Sequence, residues 1–231
     1  MTYPKVSAII PACNEGNNIV DTIRGLQDLN EVNEIIVVDD GSKDETFELA
    51  KAQGVSCVKL DKNYGKGKAL YTGVESSDSQ VVAFVDADLG QTAKKIKSLI
   101  TPVVCGEADM AIVKFPKEGN YKYGGFGLVK KLAKTGTYLL TGKVTEASLS
   151  GQRVINRELA KQLLELEIDS GYGVELGMTV EALKREAKVI EVEENMSHRK
   201  TGKDLQGFLH RGKQFIQILI TLLRKKFVQM Y

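Results

Sequence analysis

Cysteine is scarce and unpaired in this chain. Cys13, Cys57 and Cys105 are odd in number, widely spaced and form no CxxC pair, which argues against a disulfide framework and a thiolate zinc site. That usage suits a reducing compartment, and a cytoplasmic protein is expected. Long apolar runs are also missing. The start, MTYPKVSAIIPACNEG, has one lysine and few apolar residues before a proline, too interrupted for a signal peptide or a span of about 20 residues. The run FIQILITLL near the other end is well short of such a span. No GxGxxG stands where PACNEG follows the first strand-like run, so dinucleotide-dependent redox chemistry is not indicated. Histidine is limited to His198 and His210, and no repeat or low-complexity tract interrupts the chain.

What is present is ordinary globular material. Hydrophobic residues make up 42% and charged residues 27% of 231 positions, enough for a substantial core. The length suits one compact α/β domain with C-terminal additions. Net charge is only +2, and no nucleic-acid partner is expected. The charge is uneven, however. Residues 196 to 231 hold eight Lys or Arg against one acid, and residues 114 to 143 hold seven lysines against one acid. An anionic ligand is expected near those segments.

Through about residue 115, short β-branched runs alternate with amphipathic stretches: KVSAII, NNIVDTIRGL, EIIVVDD, DETFELAKAQ, VSCVKL, KALYTGVES, VVAFVDAD, AKKIKSLITPVV and MAIVKF. This is the βαβ rhythm of a mostly parallel sheet covered by helices on both faces. Ser42 and Glu45 are spaced as a capping box, and Thr92 is placed to cap a helix starting near Ala93. PACNE, DDGS and DADLG then fall at carboxyl ends of strands, the edge where open α/β sheets bind ligands. From Lys117 to Gly142 the sequence predicts a mobile loop and a short helix over that crevice. Helices are expected at 156 to 166 and 174 to 186, a strand at 188 to 193, and a long helix from about Leu205. In that last helix Leu205, Phe208, Leu209, Phe215, Ile216, Leu219, Ile220, Leu223 and Phe227 recur at helical spacing. Core packing, a homodimer seam and a peripheral membrane contact are the readings this stripe allows.

Asp86 and Asp88 end the apolar run VVAFVDAD. Two acids one residue apart repel unless a cation sits beside them, and a hard divalent ion bridging diphosphate oxygens meets that need. Gly65 and Gly67 allow close backbone approach, and the ammonium of Lys66 can offset phosphate charge. Taken in order, PACNEGNNI, VVDDGSKDET, NYGKGKAL and DADLG closely resemble the nucleotide-sugar half of family 2 type glycosyltransferases. The resemblance implies a GT-A, Rossmann-like fold with a nucleotide-sugar-binding subdomain over 1–115. An acceptor-binding region with C-terminal helices would occupy 116–231. It also implies that Pro11, Ala12, Cys13, Glu15, Asp39 and Asp40 grip uridine, that Gly65 and Lys66 lie near the nucleotide, and that Asp86, Ala87 and Asp88 meet the metal and diphosphate. The expected cofactor is Mg2+ or Mn2+, with a UDP-sugar as donor.

TGKVTEA, SGQRVINREL, SGYGVELGMTVEAL and SHRKTGKDLQGFLHRGKQ are in turn similar to the C-terminal portion of glucosyl-3-phosphoglycerate synthases. This implies acceptor-phosphate contacts at Gly142, Lys143 and Thr145, an acid beside the reacting sugar at Glu175, and a metal ligand at His198, with Arg199 on the acceptor side. Lys143 stands where that family carries arginine, and Met196 where it carries a basic residue before the histidine. SGQR also resembles the SGFR segment of polyprenyl-phosphate sugar transferases, so a small phosphorylated acid and a lipid phosphate both stand as acceptors. Retention and inversion at the anomeric carbon are equally open. A sugar nucleotidyltransferase would show a glycine-rich basic loop at PACNEG. A non-catalytic nucleotide-sugar binder would have little use for Asp86, Asp88 and Glu175 together.

Overall fold

The computed structural model describes residues 4–116, 126–167, 171–196 and 215–225. Seven strands form one sheet in the order β3-β2-β1-β4-β6-β5-β7. They are β1 Val6–Ala12, β2 Glu34–Asp39, β3 Ser56–Lys59, β4 Val81–Phe84, β5 Met110–Lys114, β6 Arg153–Asn156 and β7 Val189–Glu193. Strands β1 to β4 pair in parallel, as do β5 and β7, while β6 runs antiparallel to both β4 and β5. The mostly parallel sheet expected from the sequence is therefore present. The two final strands belong to the same sheet as the first four. Strand β6 escaped the sequence reading because RVIN is too short to show a period.

The helices are α1 Ile19–Gln27, α2 Thr46–Lys51, α3 Lys66–Glu75, α4 Lys97–Val104, α5 Phe126–Thr141, α6 Arg157–Glu167 and α7 Val174–Lys184, followed by α8 over residues 215–225. Successive strand residues point to opposite faces, and both faces of the central strands are apolar. Val6, Ala8, Ile10, Val81, Ala83 and Val85 pack with α1 and α4, whereas Ile9, Val82 and Phe84 pack with α3, α6 and α7. Gly73 lets α3 lie directly on the sheet, since a Cβ there would stand 2.3 Å from Ile9 Cγ2. A third cluster joins α5, α7 and α8 through Val129, Ala133, Leu176, Val180, Ile218 and Leu222.

Four local expectations are corrected. Ser42 and Glu45 do not form a capping box: no side chain caps α2 from Glu45, and Ser42 Oγ instead accepts the Asn14 N–H at 2.9 Å. Asp44 takes the capping role, accepting the Thr46 N–H at 3.1 Å. Thr92 lies inside the 3-10 turn Gly90–Ile96, and its hydroxyl donates to the Leu89 carbonyl at 2.7 Å. The helix ending at Thr141 is 16 residues long, not short; the loop expected before it lies largely outside the described residues. In α8 the core-facing residues are Ile218, Thr221, Leu222 and Lys225, whereas Ile216, Leu219, Ile220 and Leu223 from the apolar stripe face outward. A nine-residue apolar run hides which of its faces is buried, since almost every position is eligible. The stretch from Leu205 to Gln214 and Phe227 lie outside the described residues.

Candidate active site

The chain order of the sheet reverses between β1 and β4, and the loops leaving those strands and β2 share one edge. Two of these loops lace together. Asn14 adopts a left-handed φ of 56°, which its short polar side chain tolerates. Its Oδ1 accepts the Lys43 N–H at 2.9 Å. The Glu15 N–H donates to Thr46 Oγ1 at 2.8 Å and the Gly16 N–H to Asp44 Oδ2 at 3.1 Å. Asp44 is held below the usual carboxylate range by the Thr46 hydroxyl and by backbone N–H groups, with desolvation opposing. Asn63 Nδ2 donates to Cys13 Sγ at 3.2 Å across the same loops. Pro11 and Ala12 end β1 beneath them.

The two acids of VVDD have different tasks. Asp40 spends both oxygens on the backbone at the start of α3, accepting the Tyr64 N–H at 2.7 Å and the Gly65 N–H at 2.8 Å. Asp39 is fully buried: Oδ1 accepts the Ser42 N–H at 3.1 Å, and Oδ2 has no hydrogen-bond partner among the described residues. A buried carboxylate oxygen without a donor is costly, and a nucleobase or ribose donor would satisfy it. Gly65 carries φ +93° with open space where a Cβ would sit. Its glycine is required by conformation rather than by room.

Lys66 opens α3 and is the centre of the site. Its Nζ lies 2.7 Å from Asp86 Oδ1 and 2.7 Å from Glu175 Oε1. Burial pulls the ammonium's pKa down, but the charges and hydrogen bonds of Asp86 and Glu175 outweigh it, and the net shift is upward. Asp86 Oδ2 accepts Gln152 Nε2 at 2.6 Å. Of the acids in DAD, then, Asp86 is locked by its neighbours. Asp88 is half-buried, and its carboxylate offers oxygens of the hard kind that a divalent ion takes. Between them Ala87 is pinned, its carbonyl accepting the Thr22 hydroxyl at 2.7 Å. Among the described residues no group of three His, Cys, Asp or Glu side chains could hold a metal. A cation at Asp88 would complete its shell from diphosphate, water or residues outside those described. His198 and Arg199 are among the latter.

Glu175 sits in the first turn of α7, where the helix dipole favours a carboxylate. The 3-10 turn Gly171–Gly173 precedes it and is overlaid by α8: a Cβ at Gly173 would meet Thr221 Oγ1 at 2.0 Å. The second half of the chain thus reaches the edge formed by the loops after β1, β2 and β4 through Glu175 and through residues 150–153. A Cβ on Gly151 would lie 2.6 Å from Lys66 Nζ and 2.8 Å from Asp86 Oδ2. Behind it the guanidinium of Arg153, 1% exposed, donates to the Ser150 carbonyl at 2.5 Å and the Glu175 carbonyl at 3.2 Å. Gly151, Gln152 and Arg153 were not singled out from sequence. Their SGQR resemblance pointed to the segment, but only the antiparallel β6 brings it under Lys66.

The expected acceptor residues do not gather around Glu175. Gly142, at φ +70°, ends α5 and donates its N–H to the Tyr138 carbonyl at 2.8 Å. Lys143 is exposed on an open cleft of about 530 Å3, shared with Leu140, Thr141, Leu183, Lys184 and Glu186. Those α7 residues lie at the end of the helix opposite Glu175, roughly 14 Å along its axis. Thr145 is buried, and its hydroxyl has no hydrogen-bond partner among the described residues.

The sequence model of glycosyl transferase family 2 matches residues 7–164. The chain belongs to that family. This family 2 glycosyltransferase is 28% identical to glucosyl-3-phosphoglycerate synthase of Mycobacterium tuberculosis, over 95% of this chain and 73% of the relative. It is 30% identical to UDP-N-acetylglucosamine–dolichyl-phosphate N-acetylglucosaminyltransferase of Methanococcus voltae, over 68% of this chain and 71% of that one. A crystal structure of the mycobacterial synthase with Mn2+, UDP and phosphoglyceric acid superposes with a TM-score of 0.77 at 25% identity, covering 96% of this chain and 78% of the other. Glu175 lies beyond the span matched by the family 2 model, but such whole-chain likenesses extend past it. No helix among the described residues is long and apolar enough to cross a membrane.

Proposed function

We propose that this glycosyltransferase moves a sugar, glucose in the simplest reading, from a UDP-sugar to a small phosphorylated acid such as 3-phosphoglycerate. The observation that carries the reading is the bridge at Lys66, which touches Asp86 of the nucleotide half and Glu175 of the acceptor half at 2.7 Å each. An acid of the donor edge and an acid of the later helices converge on one ammonium, so donor and acceptor would meet there.

In this reading the unsatisfied oxygen of Asp39 accepts a uridine donor, with Pro11, Ala12, Cys13 and Glu15 walling the base and Asp40 shaping the Gly65 turn. Asp86 fixes Lys66 beside the diphosphate, where its charge offsets that of the leaving group. A Mg2+ or Mn2+ ion held by Asp88, with His198 as its second protein ligand, would supply electrophilic assistance to departure of the diphosphate. Glu175 orients the reacting sugar or the acceptor hydroxyl. By resemblance the acceptor's anionic end falls to Gly142, Lys143 and Thr145, with Arg199 as a further cation, although Lys143 stands at the end of α7 opposite Glu175. That a crystal structure of the mycobacterial synthase holds Mn2+, UDP and phosphoglyceric acid supports this class of donor, metal and acceptor.

A second reading, a polyprenyl phosphate acceptor, is favoured by one feature. Helix α5 exposes Leu128, Tyr138 and Leu139 along the same helix as the exposed lysines Lys130, Lys131 and Lys134, a surface suited to an anionic lipid interface. The dolichyl-phosphate relative agrees with it. Incubation with UDP-glucose and Mn2+ against 3-phosphoglycerate or polyprenyl phosphate, read by product mass, separates the two. Glucosylated phosphoglycerate supports the first reading; a product only with the polyprenyl phosphate replaces it with the second.

A further inference from the structure

Arg153 is the most deeply buried cationic side chain near the site among the described residues, and by the criteria of stability it is poorly served. Its guanidinium donates to the Ser150 carbonyl at 2.5 Å, the Glu175 carbonyl at 3.2 Å and the Thr179 hydroxyl at 3.4 Å. Its remaining contact is a weak one, to Met110 Sδ at 4.0 Å. Nε has no partner, and among the described residues no carboxylate lies within ion-pair reach of the guanidinium. A buried cation of this kind usually costs stability, and an apolar side chain of similar volume is often tolerated better. Burial lowers its pKa to about 10, with Glu175 and Asp86 offsetting part of the shift. The group still carries its charge at neutral pH. The folded value lies below the ordinary one for arginine, so the buried charge opposes folding at all pH values below about 10. That opposition is relieved only as pH rises through the folded value toward the unfolded one.

Each strong contact of Arg153 nonetheless leads to the Lys66 bridge. The Glu175 carbonyl is fixed on one side. Thr179, one turn further along α7, donates its hydroxyl back to that same carbonyl at 2.9 Å. On the other side the Ser150 carbonyl precedes Gly151, which packs against Lys66 and Asp86. We infer that Arg153 is a positioning residue: it clamps the first turn of α7 to the 150–153 segment and so sets the place of the Glu175 carboxylate against Lys66. The inference rests on Glu175 acting beside the reacting sugar. Arg153 itself touches neither donor nor acceptor. Its absence would leave nucleotide binding intact and loosen the geometry of transfer.

The test is the full-length Arg153→Met variant beside Arg153→Lys, Glu175→Gln and the double variant Arg153→Met/Glu175→Gln. Arg153→Met is expected to melt at or above the wild-type temperature and to bind UDP within about threefold of wild type, while kcat for sugar transfer falls by at least about tenfold. Arg153→Lys keeps a cation in place and recovers part of that loss. In the Glu175→Gln background the same Arg153→Met change adds less than about twofold, because the group it positions is already gone. An Arg153→Met protein that melts well below wild type, or fails to fold, marks a structural residue and overturns the inference. Losses that simply add in the double variant overturn it too. Wild-type turnover by Arg153→Met beside an inactive Glu175→Gln defeats this inference alone. Wild-type turnover by Glu175→Gln defeats the underlying reading of the site and this inference with it.

Discussion

Lys66 Nζ and Glu175 Oε1 are 2.7 Å apart, although their residues lie in different halves of the sequence. The same ammonium is 2.7 Å from Asp86 Oδ1. Two carboxylates held on one cation would repel each other without it, so Lys66 organises the site. Because its pKa is shifted upward, its contribution is complete below the ordinary lysine value and is lost only as pH rises through the raised one. Lys66 therefore keeps its charge throughout the neutral range.

Lys66→Ala is expected to affect donor and chemistry together. Donor binding should weaken by about 1–3 kcal/mol, the range for a charge-assisted hydrogen bond, and kcat should fall as Glu175 loses its anchor. Calorimetric titration with UDP and steady-state transfer rates check the two parts. An unchanged dissociation constant would remove Lys66 from the donor site.

Gly151→Ala tests how tightly the bridge is enclosed. The added methyl would stand 2.6 Å from Lys66 Nζ and 3.0 Å from Asp86 Oδ1. Displacement of either group by about 1 Å can cost around 100-fold in rate. The variant is expected to fold, by circular dichroism, and to lose most of its turnover. Wild-type rates would show that the segment yields freely.

Divalent-ion dependence should run through Asp88. UDP affinity measured with a chelator is expected to fall well below that with Mn2+, because an unshielded diphosphate is repelled by the acids of DAD. Asp88→Ala should show the weak affinity under both conditions. Equal affinity with and without chelator in the wild type would contradict the assignment.

Stability has its own charged centre. Lys225 on α8 pairs with Glu167 of α6 and, at 3.1 Å, with Glu181 of α7. Glu167 is 1% exposed and Lys225 8%. Lys225→Met removes the cation paired with a buried carboxylate and is expected to cost about 3–5 kcal/mol in urea unfolding. Adding Glu167→Gln to that variant should restore much of it. A shift under about 0.5 kcal/mol would place Lys225 among ordinary surface ion pairs.

The sequence was most readable where chemistry follows strand ends. PACNE, DDGS and DADLG had to share an edge once the βαβ rhythm was recognised, and a buried strand that ends in two acids announces a charged ligand. The reading was weakest where long-range pairing decides. Nothing local to RVIN reveals that it lies antiparallel beside β4 and carries Gly151, Gln152 and Arg153 under Lys66. Capping is hidden for the same reason: Ser42 has the spacing of a cap, but the neighbouring loop at Asn14 claims its hydroxyl. The place of Lys143, exposed on a cleft at the far end of α7 from Glu175, likewise depends on how α5 packs.

Glu175→Gln gives the most direct test of the central claim, because it removes the charge at the junction of the two halves and leaves the nucleotide edge intact. Binding of the UDP-sugar donor and its transfer to acceptor should be measured on the same preparation. The account predicts donor affinity within about threefold of wild type and transfer slower by about 100-fold or more. Transfer at the wild-type rate with Glu175→Gln would contradict it.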